Sequence, residues 1–246
     1  MDLRAISRSL GPIDLRSIRR DSLLSWMTLM PFLLTLILRL GLPPLQSRVM
    51  TLTGFDLTPY YPVILSVYIV MFTPLLFGML VGFLLLDEMD NETLKALQVS
   101  PMPMTTYMGY RLIIPMILSF LLTFLIYPLV NLVPLPALEI LLMALVAAPA
   151  GPILGLFVAN VAENKVQGFA LIKALGGLLI LPVIAFFFNV QWQLAFGIIP
   201  TYWPFKVYWL LQAGGEGVWL YVAGGLLYQA ALITFLMNRF IQKVYR

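Results

Sequence analysis

The chain has 246 residues, is 61% apolar and only 11% charged, and carries a formal net charge of +4. With a mean hydropathy of +0.95, it falls among polytopic membrane proteins and leaves no room for a large soluble domain beside its spans. It has no cysteine and no histidine, which excludes disulfides, thiolate metal sites and Ser-His or Cys-His catalysis, so neither a metal nor a catalytic residue is expected.

Residues 1–21 hold Arg4, Arg8, Arg16, Arg19 and Arg20 and no long apolar core. Leu3, Ile6 and Leu10, then Leu15 and Ile18, recur at helical spacing around the Gly11-Pro12 break. The pattern predicts an amphipathic segment in the membrane interface, basic side toward lipid headgroups. A cleaved signal peptide is the rival, but the following apolar run is too long and lacks a small-residue cleavage site. A disordered basic tail is the other alternative.

Six apolar runs follow, each near the roughly 20 residues that cross a bilayer as a helix. They are placed at residues 23–42, 61–86, 112–133, 138–162, 169–190 and 218–237. No soluble linker separates any two, so residues 22–246 form one transmembrane domain. The fold class expected is an all-α membrane protein with six transmembrane helices, an N-terminal amphipathic interfacial helix and partly inserted outer helices before the last span.

Between spans two and three lies the most polar stretch, residues 87–103. It packs Asp87, Glu88, Asp90 and Glu92 into six positions. Asp90 or Asn91 is expected to cap a short helix, with Leu94 and Leu97 one turn apart on one face. That helix must stop before Pro101, and Ser100-Pro101 starts the next one. An ordinary capped loop fits these local signals as well.

Proline recurs inside the spans at Pro31, Pro74, Pro115, Pro128, Pro149, Pro152 and Pro182. Pro149-Ala-Gly-Pro152 is the sharpest break, open to reading as a moving hinge or a static kink. Gly78 with Gly82, and Gly151 with Gly155, make small-xxx-small faces for packing within one subunit or across a dimer. Residues 191–217, rich in aromatics and broken by Pro200 and Pro204, either dip partway into the bilayer or lie flat on it as an anchor.

The charges assigned to spans sit near their ends: Arg39 and Glu139 at one side, Lys173 at the other. The interior is otherwise expected to be uncharged, with no mid-membrane acidic relay of the kind an ion-coupled carrier uses. Neutral polar groups at mid-span, Thr73, Thr123, Tyr127, Tyr228 and Gln229 among them, are candidates for a substrate path. Met71, Met79, Met116 and Met143 supply adaptable apolar surface. No GxxxxGK[ST] loop occurs, so the chain itself is expected to bind no ATP by that route.

Glu88, Thr93-Leu94, Leu97, Ser100-Pro101, Tyr107 and Arg111 together resemble the segment that follows the second span in type 2 ABC exporter permeases. Ile199-Pro200 followed by Tyr202-Trp203-Pro204 resembles the stretch before that family's last span. The family usually has glycine immediately before Thr-Leu; here that place holds Glu92. In size and pattern the drug-efflux group, fluoroquinolone exporters included, is closest. The resemblance implies that Asp87, Glu88, Asp90, Glu92, Thr93, Leu94, Leu97, Ser100 and Pro101 form a coupling segment docking on a cytoplasmic ATPase. It further implies ATP and Mg²⁺ in that partner subunit rather than here, a second permease subunit of the same or similar sequence, and outward movement of a hydrophobic or amphipathic cargo. Membrane lipids are expected partners and nucleic acid is not. A membrane scaffold that binds a partner through the same corner without moving a substrate is the alternative.

With both termini inside, twelve of the fifteen Lys and Arg residues are cytoplasmic, and only Arg39, Arg48 and Lys206 lie outside. The positive-inside bias therefore predicts both ends and the 87–103 segment in the cytoplasm of a cell-membrane protein. Reporter fusions after Met50, within 191–217 and at Arg246 should report outside, outside and inside; a cytoplasmic signal from 191–217 would overturn that topology.

Overall fold

A computed structural model describes residues 22–94, 103–188 and 190–245. The interfacial segment expected at 1–21, and Leu97, Ser100 and Pro101 of the corner, lie outside the described residues. Seven principal helices run along the described chain: α1 (Ser22–Thr53), α2 (Thr58–Asp90), α3 (Met104–Val130), α4 (Ala137–Val161), α5 (Lys165–Phe187), α6 (Tyr202–Gln212) and α7 (Val218–Val244). No strand occurs among the described residues. Six of the helices, all but α6, are long and apolar enough to cross a membrane, as the six apolar runs predict. Below, the base is the end where α2 and α4 finish, α3 and α5 begin and α7 finishes; the top is the opposite end.

The helices outrun the apolar runs. The second span continues from Leu86 through Asp90, and the third starts at Met104 rather than after Arg111. An apolar-run boundary stops at the first charge, whereas the backbone keeps its helical hydrogen bonds as long as each charge finds a partner. α1 likewise continues past Pro43 and Pro44 to Thr53, where Ser47, Thr51 and Thr53 each donate to the carbonyl four residues back.

α2 and α4 form the centre. Their apolar stretches are 83% and 78% buried, against 11% to 33% for the other four spans. The reason is a backbone-to-backbone contact. A Cβ added at Gly78 would stand 2.4 Å from the Gly151 carbonyl oxygen, and one at Gly155 would stand 2.8 Å from the Gly78 oxygen. Both small-residue faces are thus consumed within the subunit, against each other. Only glycine permits that approach, and in a lipid solvent close van der Waals contact is the main source of helix association.

Two irregularities mark this pair. α2 widens into a π-turn over Ser66–Met71, one turn ahead of Pro74, whose ring would collide with the carbonyl four residues earlier in a regular helix. α4 is interrupted between Ala147 and Ala150. Pro149 keeps φ −66° and ψ −17°, so the axis is bent without leaving helical space. Gln229 of α7 donates its amide to the Val146 carbonyl at 3.1 Å, directly at the interruption.

α6 is built into the bundle. Tyr202, Phe205, Val207 and Tyr208 are fully buried, and the helix packs on α7, α4 and the π-turn of α2. Trp203 anchors it: the indole nitrogen donates to Gly197 O at 2.9 Å, and its ring lies on Gly224 and Gly225, where a Cβ would come within 3.0 and 2.9 Å. That contact accounts for the Tyr202-Trp203-Pro204 motif preceding the last span.

Replacing Gly78 by Ala must push a backbone carbonyl rather than a side chain, and overpacking of that sort costs about 1–3 kcal/mol. Gly109→Ala is the control, since nothing lies within 4 Å of its added Cβ. Thermal unfolding in detergent should show Gly78→Ala clearly less stable and Gly109→Ala unchanged or slightly raised.

Candidate functional site

At the base, α2 ends in an awkward way for its own dipole. Asp87, Glu88 and Asp90 occupy its last turns, where the carbonyl ends already carry partial negative charge. Asn91 is the C-cap, with its backbone and side-chain amides both donating to Asp87 O, at 2.9 and 2.8 Å. Asp90 and Asn91 therefore finish a helix, although their composition predicts that they start one. The acidic clustering that reads as an N-terminal signal belongs instead to side chains paired across the bundle.

Two ion pairs offset those charges. Glu88 and Arg111 are each 8% exposed, and their side chains bond directly, joining α2 to α3. Arg111 also donates from Nε to the Tyr107 hydroxyl at 2.9 Å, and its guanidinium lies 5.3 Å from the Tyr107 ring centre and 5.9 Å from that of Tyr110. Asp87 pairs with Lys165 at 2.8 Å, tying the end of α2 to the first residue of α5. Buried pairs of this kind add little net stability, yet losing one partner leaves an uncompensated charge at several kcal/mol.

The same end carries further ties. Lys243 of α7 donates to the carbonyls of Ala159, Asn160 and Ala162 at 3.0, 3.2 and 3.1 Å, capping α4. Asn164 caps α5 by accepting from Gln167 N at 3.0 Å, while Gln167 Oε1 accepts from Glu163 N at 3.1 Å, a reciprocal capping box. Two sets of polar ties thus clasp the base, one joining α2 to α3 and α5 and the other joining α7 to α4.

Beyond Asn91 the chain turns on Glu92, whose φ is +56°. This left-handed conformation favours glycine, and it is the position where glycine is the rule in permeases of the resembled type. Thr93 and Leu94 resume helical geometry. Leu94 is 1% exposed and packs with Leu85, Met104, Tyr107 and Phe240 inside the chain's own base core. In this structure it anchors the corner from inside.

Charge is also buried within the protein near both ends of the bundle. Besides Glu88 and Arg111, Lys206 is 6% exposed on α6. These three escape a sequence reading because hydropathy reports the composition of a segment, not which of its residues a neighbour covers.

Of the candidates for a substrate path, Tyr228 of α7 lines a cavity. It is about 220 Å³ in volume, apolar, walled by Leu75, Ile153, Leu154 and Leu232, and roofed by Ile198, Pro200 and Thr201. Its hydroxyl donates to the Ile198 carbonyl. A second apolar cavity of about 430 Å³ opens between α3 and α7 across the interruption of α4, with Met116, Pro149, Pro152 and Thr234 in its wall. Tyr127 instead closes a network near the top: it donates to Val133 O at 2.7 Å and meets the Tyr208 hydroxyl at 3.1 Å and Gln212 Nε2 at 3.3 Å. Gln229 is fully buried in its bond to Val146 O, and Thr73 and Thr123 are buried with hydroxyls that have no hydrogen-bond partner. The five do not converge on one site.

No group of three or more Asp and Glu residues that could hold a metal ion occurs among the described residues.

Known proteins share this arrangement's sequence along nearly its whole length. No solved structure matches the chain. Two curated relatives, fluoroquinolones export permease protein Rv2686c of Mycobacterium tuberculosis strain H37Rv and fluoroquinolones export permease protein MT2760 of strain CDC 1551, are each 33% identical to it. Each alignment covers 98% of this chain and 99% of the relative. A family model described as Rv2686c-like fluoroquinolones export permease protein matches residues 14–237. With family model and relatives agreeing, this six-span membrane protein belongs to the Rv2686c-like fluoroquinolones export permease family.

Proposed function

We propose that the chain is the membrane-spanning permease of an ATP-driven exporter, powered by a separate ATPase subunit and moving amphipathic drugs, fluoroquinolones among them, out of the cell. The base faces the cytoplasm. The chain pairs with a second permease subunit, identical or similar, and ATP with Mg²⁺ is held by the partner ATPase. Family membership supports the drug-exporting part. The mechanical part is carried by one observation, the buried Glu88–Arg111 pair that locks α3 to the end of α2 directly behind the Glu92 corner.

A load applied at the corner reaches the spans through polar ties rather than through slack side chains. Glu88–Arg111 moves α3 with α2, Asp87–Lys165 moves the start of α5, and Leu94 seats the corner in the base core. Asp90 and Glu92 are exposed at the corner, on the side proposed to meet the partner. α2 then transmits the motion along its glycine contact to α4, whose interruption at Pro149 is the place where the two halves of that helix are free to change angle.

Arg111→Met leaves a buried carboxylate without its cation and should cost about 3–5 kcal/mol of stability. The double change Glu88→Gln with Arg111→Met should recover most of that loss in thermal unfolding, yet export fluoroquinolones poorly in a strain lacking its own copy. Wild-type drug resistance from the double variant would reduce the pair to a packing feature.

Glu92→Gly removes the side-chain penalty of a left-handed residue and should gain about 1 kcal/mol in stability while keeping export. A loss of stability would mean that the glutamate side chain, not the backbone turn, holds the corner.

Reconstituted without a partner, the chain should hydrolyse no ATP, and adding the cognate ATPase should restore drug-stimulated turnover. Significant hydrolysis by the pure permease, or unchanged fluoroquinolone sensitivity on deleting its gene, would overturn the exporter reading.

A further inference from the structure

Near the top of the bundle lies a set of polar groups that the clasp and the cavities leave unused. Tyr202, Lys206 and Trp209 fall at i, i+4 and i+7 of α6, so they share one stripe of that helix. All three are nine-tenths or more buried. Lys206 Nζ donates to Gln193 Oε1 at 2.6 Å and lies 5.3 Å from the centre of the Tyr221 ring. Both neighbours are neutral. Among the described residues no carboxylate pairs with this ammonium. The Tyr202 hydroxyl and the Trp209 indole nitrogen have no hydrogen-bond partner at all. Tyr221 links the group, with its ring against the ammonium and its hydroxyl close enough to act electrostatically on Tyr202.

Every member of this stripe is a donor, and one is cationic. Buried lysines are ordinarily paired, and buried donors ordinarily find acceptors. A side chain that only needed to fill space here would be cheaper as methionine, since burial pulls the Lys206 ammonium below the usual lysine range. What is missing is an anionic oxygen. The surroundings are aromatic: Phe186 and Phe205 pack on the Trp209 ring at 5.2 and 5.7 Å, at 73° and 32°.

We propose that the Tyr202–Lys206–Trp209 stripe of α6 is a recognition site for the anionic oxygens of an amphipathic molecule, and that Lys206 sets the permease's preference for acidic over neutral forms of one cargo. The assignment rests on the exporter reading above and names a substrate chemistry for it. The same donor set would accept a phospholipid phosphate, so carboxylate and phosphate are separate arms of the test.

The test uses the full chain in nanodiscs of neutral phosphatidylcholine, with binding followed by tryptophan fluorescence. The probes are a quinolone carboxylic acid, its methyl ester and, separately, phosphatidylglycerol. A charge-assisted contact predicts that wild type binds the acid at least roughly tenfold more tightly than the ester. Lys206→Met, close in volume and apolar, should abolish that preference while leaving ester binding unchanged, and Lys206→Arg should retain it. If only phosphatidylglycerol binds with this dependence on Lys206, the anion site stands with a lipid occupant and its role in choosing the cargo falls, while the exporter reading is left to the gene-deletion test above. Equal affinity of wild type for acid and ester with no response to phosphatidylglycerol, or an acid preference that survives in Lys206→Met, overturns the site.

Discussion

The structure depends on one contact, the meeting of the α2 and α4 backbones at Gly78, Gly151 and Gly155. Lipid offers no hydrophobic reward for bringing helices together, because acyl chains are as apolar as the side chains they would replace. Association must come from close packing and from polar groups that lipid cannot satisfy. The glycines supply the first over little more than one turn of each helix and place α2 and α4 at the centre. The remaining spans are arranged around that pair and keep most of their surface toward lipid.

The second contribution explains where the polar residues sit. Each break or end of a helix frees backbone groups that hydrocarbon cannot hydrogen-bond. Here side chains from other helices meet them: Gln229 at the interruption of α4, Lys243 at its end, and Arg39 at the Leu129 carbonyl near the end of α3, 3.0 Å away. In each case a residue from a distant part of the chain completes a helix it does not belong to. The clasp at the base extends this rule to charge, with the acidic end of α2 made tolerable by Arg111 and Lys165.

That division also governs what the sequence discloses. Six apolar runs and two Gly-xxx-Gly faces are properties of single segments, and both are legible in the order of residues alone. Which face meets which is a pairwise property, so the sequence leaves open whether the glycines pack within a subunit. Asp90 and Asn91 carry a helix-start composition, yet they end α2: Asn91 caps it by donating to Asp87 O, and the neighbouring Asp87 and Glu88 pair with Lys165 and Arg111 from other helices. Leu94 resembles an outward anchor by spacing, but its burial depends on Met104 and Phe240, which no local window contains. Lys206 is hidden for the opposite reason: among aromatics and a proline it reads as an interfacial lysine, and only the packing of α6 against three other elements covers it.

The placement of rigid and soft parts bears on how force at the base becomes movement elsewhere. α2 is continuous through its π-turn and bound to α4 by the glycine contact between Pro74 and Gly82. α4 is held at its lower end by Lys243 and pressed against α2 on both sides of Pro149, with a carbonyl at the break latched only by a neutral amide from α7. A neutral hydrogen bond contributes about 1 kcal/mol net, far less than breaking the charged clasp would cost. Under a load that both must share, the latch gives before the clasp does. The two apolar cavities lie on opposite sides of α4 and α7 and both reach the residues around the break, Ala150 in one and Pro149 and Pro152 in the other. The proposed hinge would therefore border both cavities at once, linking the polar end of the molecule to its apolar interior without any charge having to cross it.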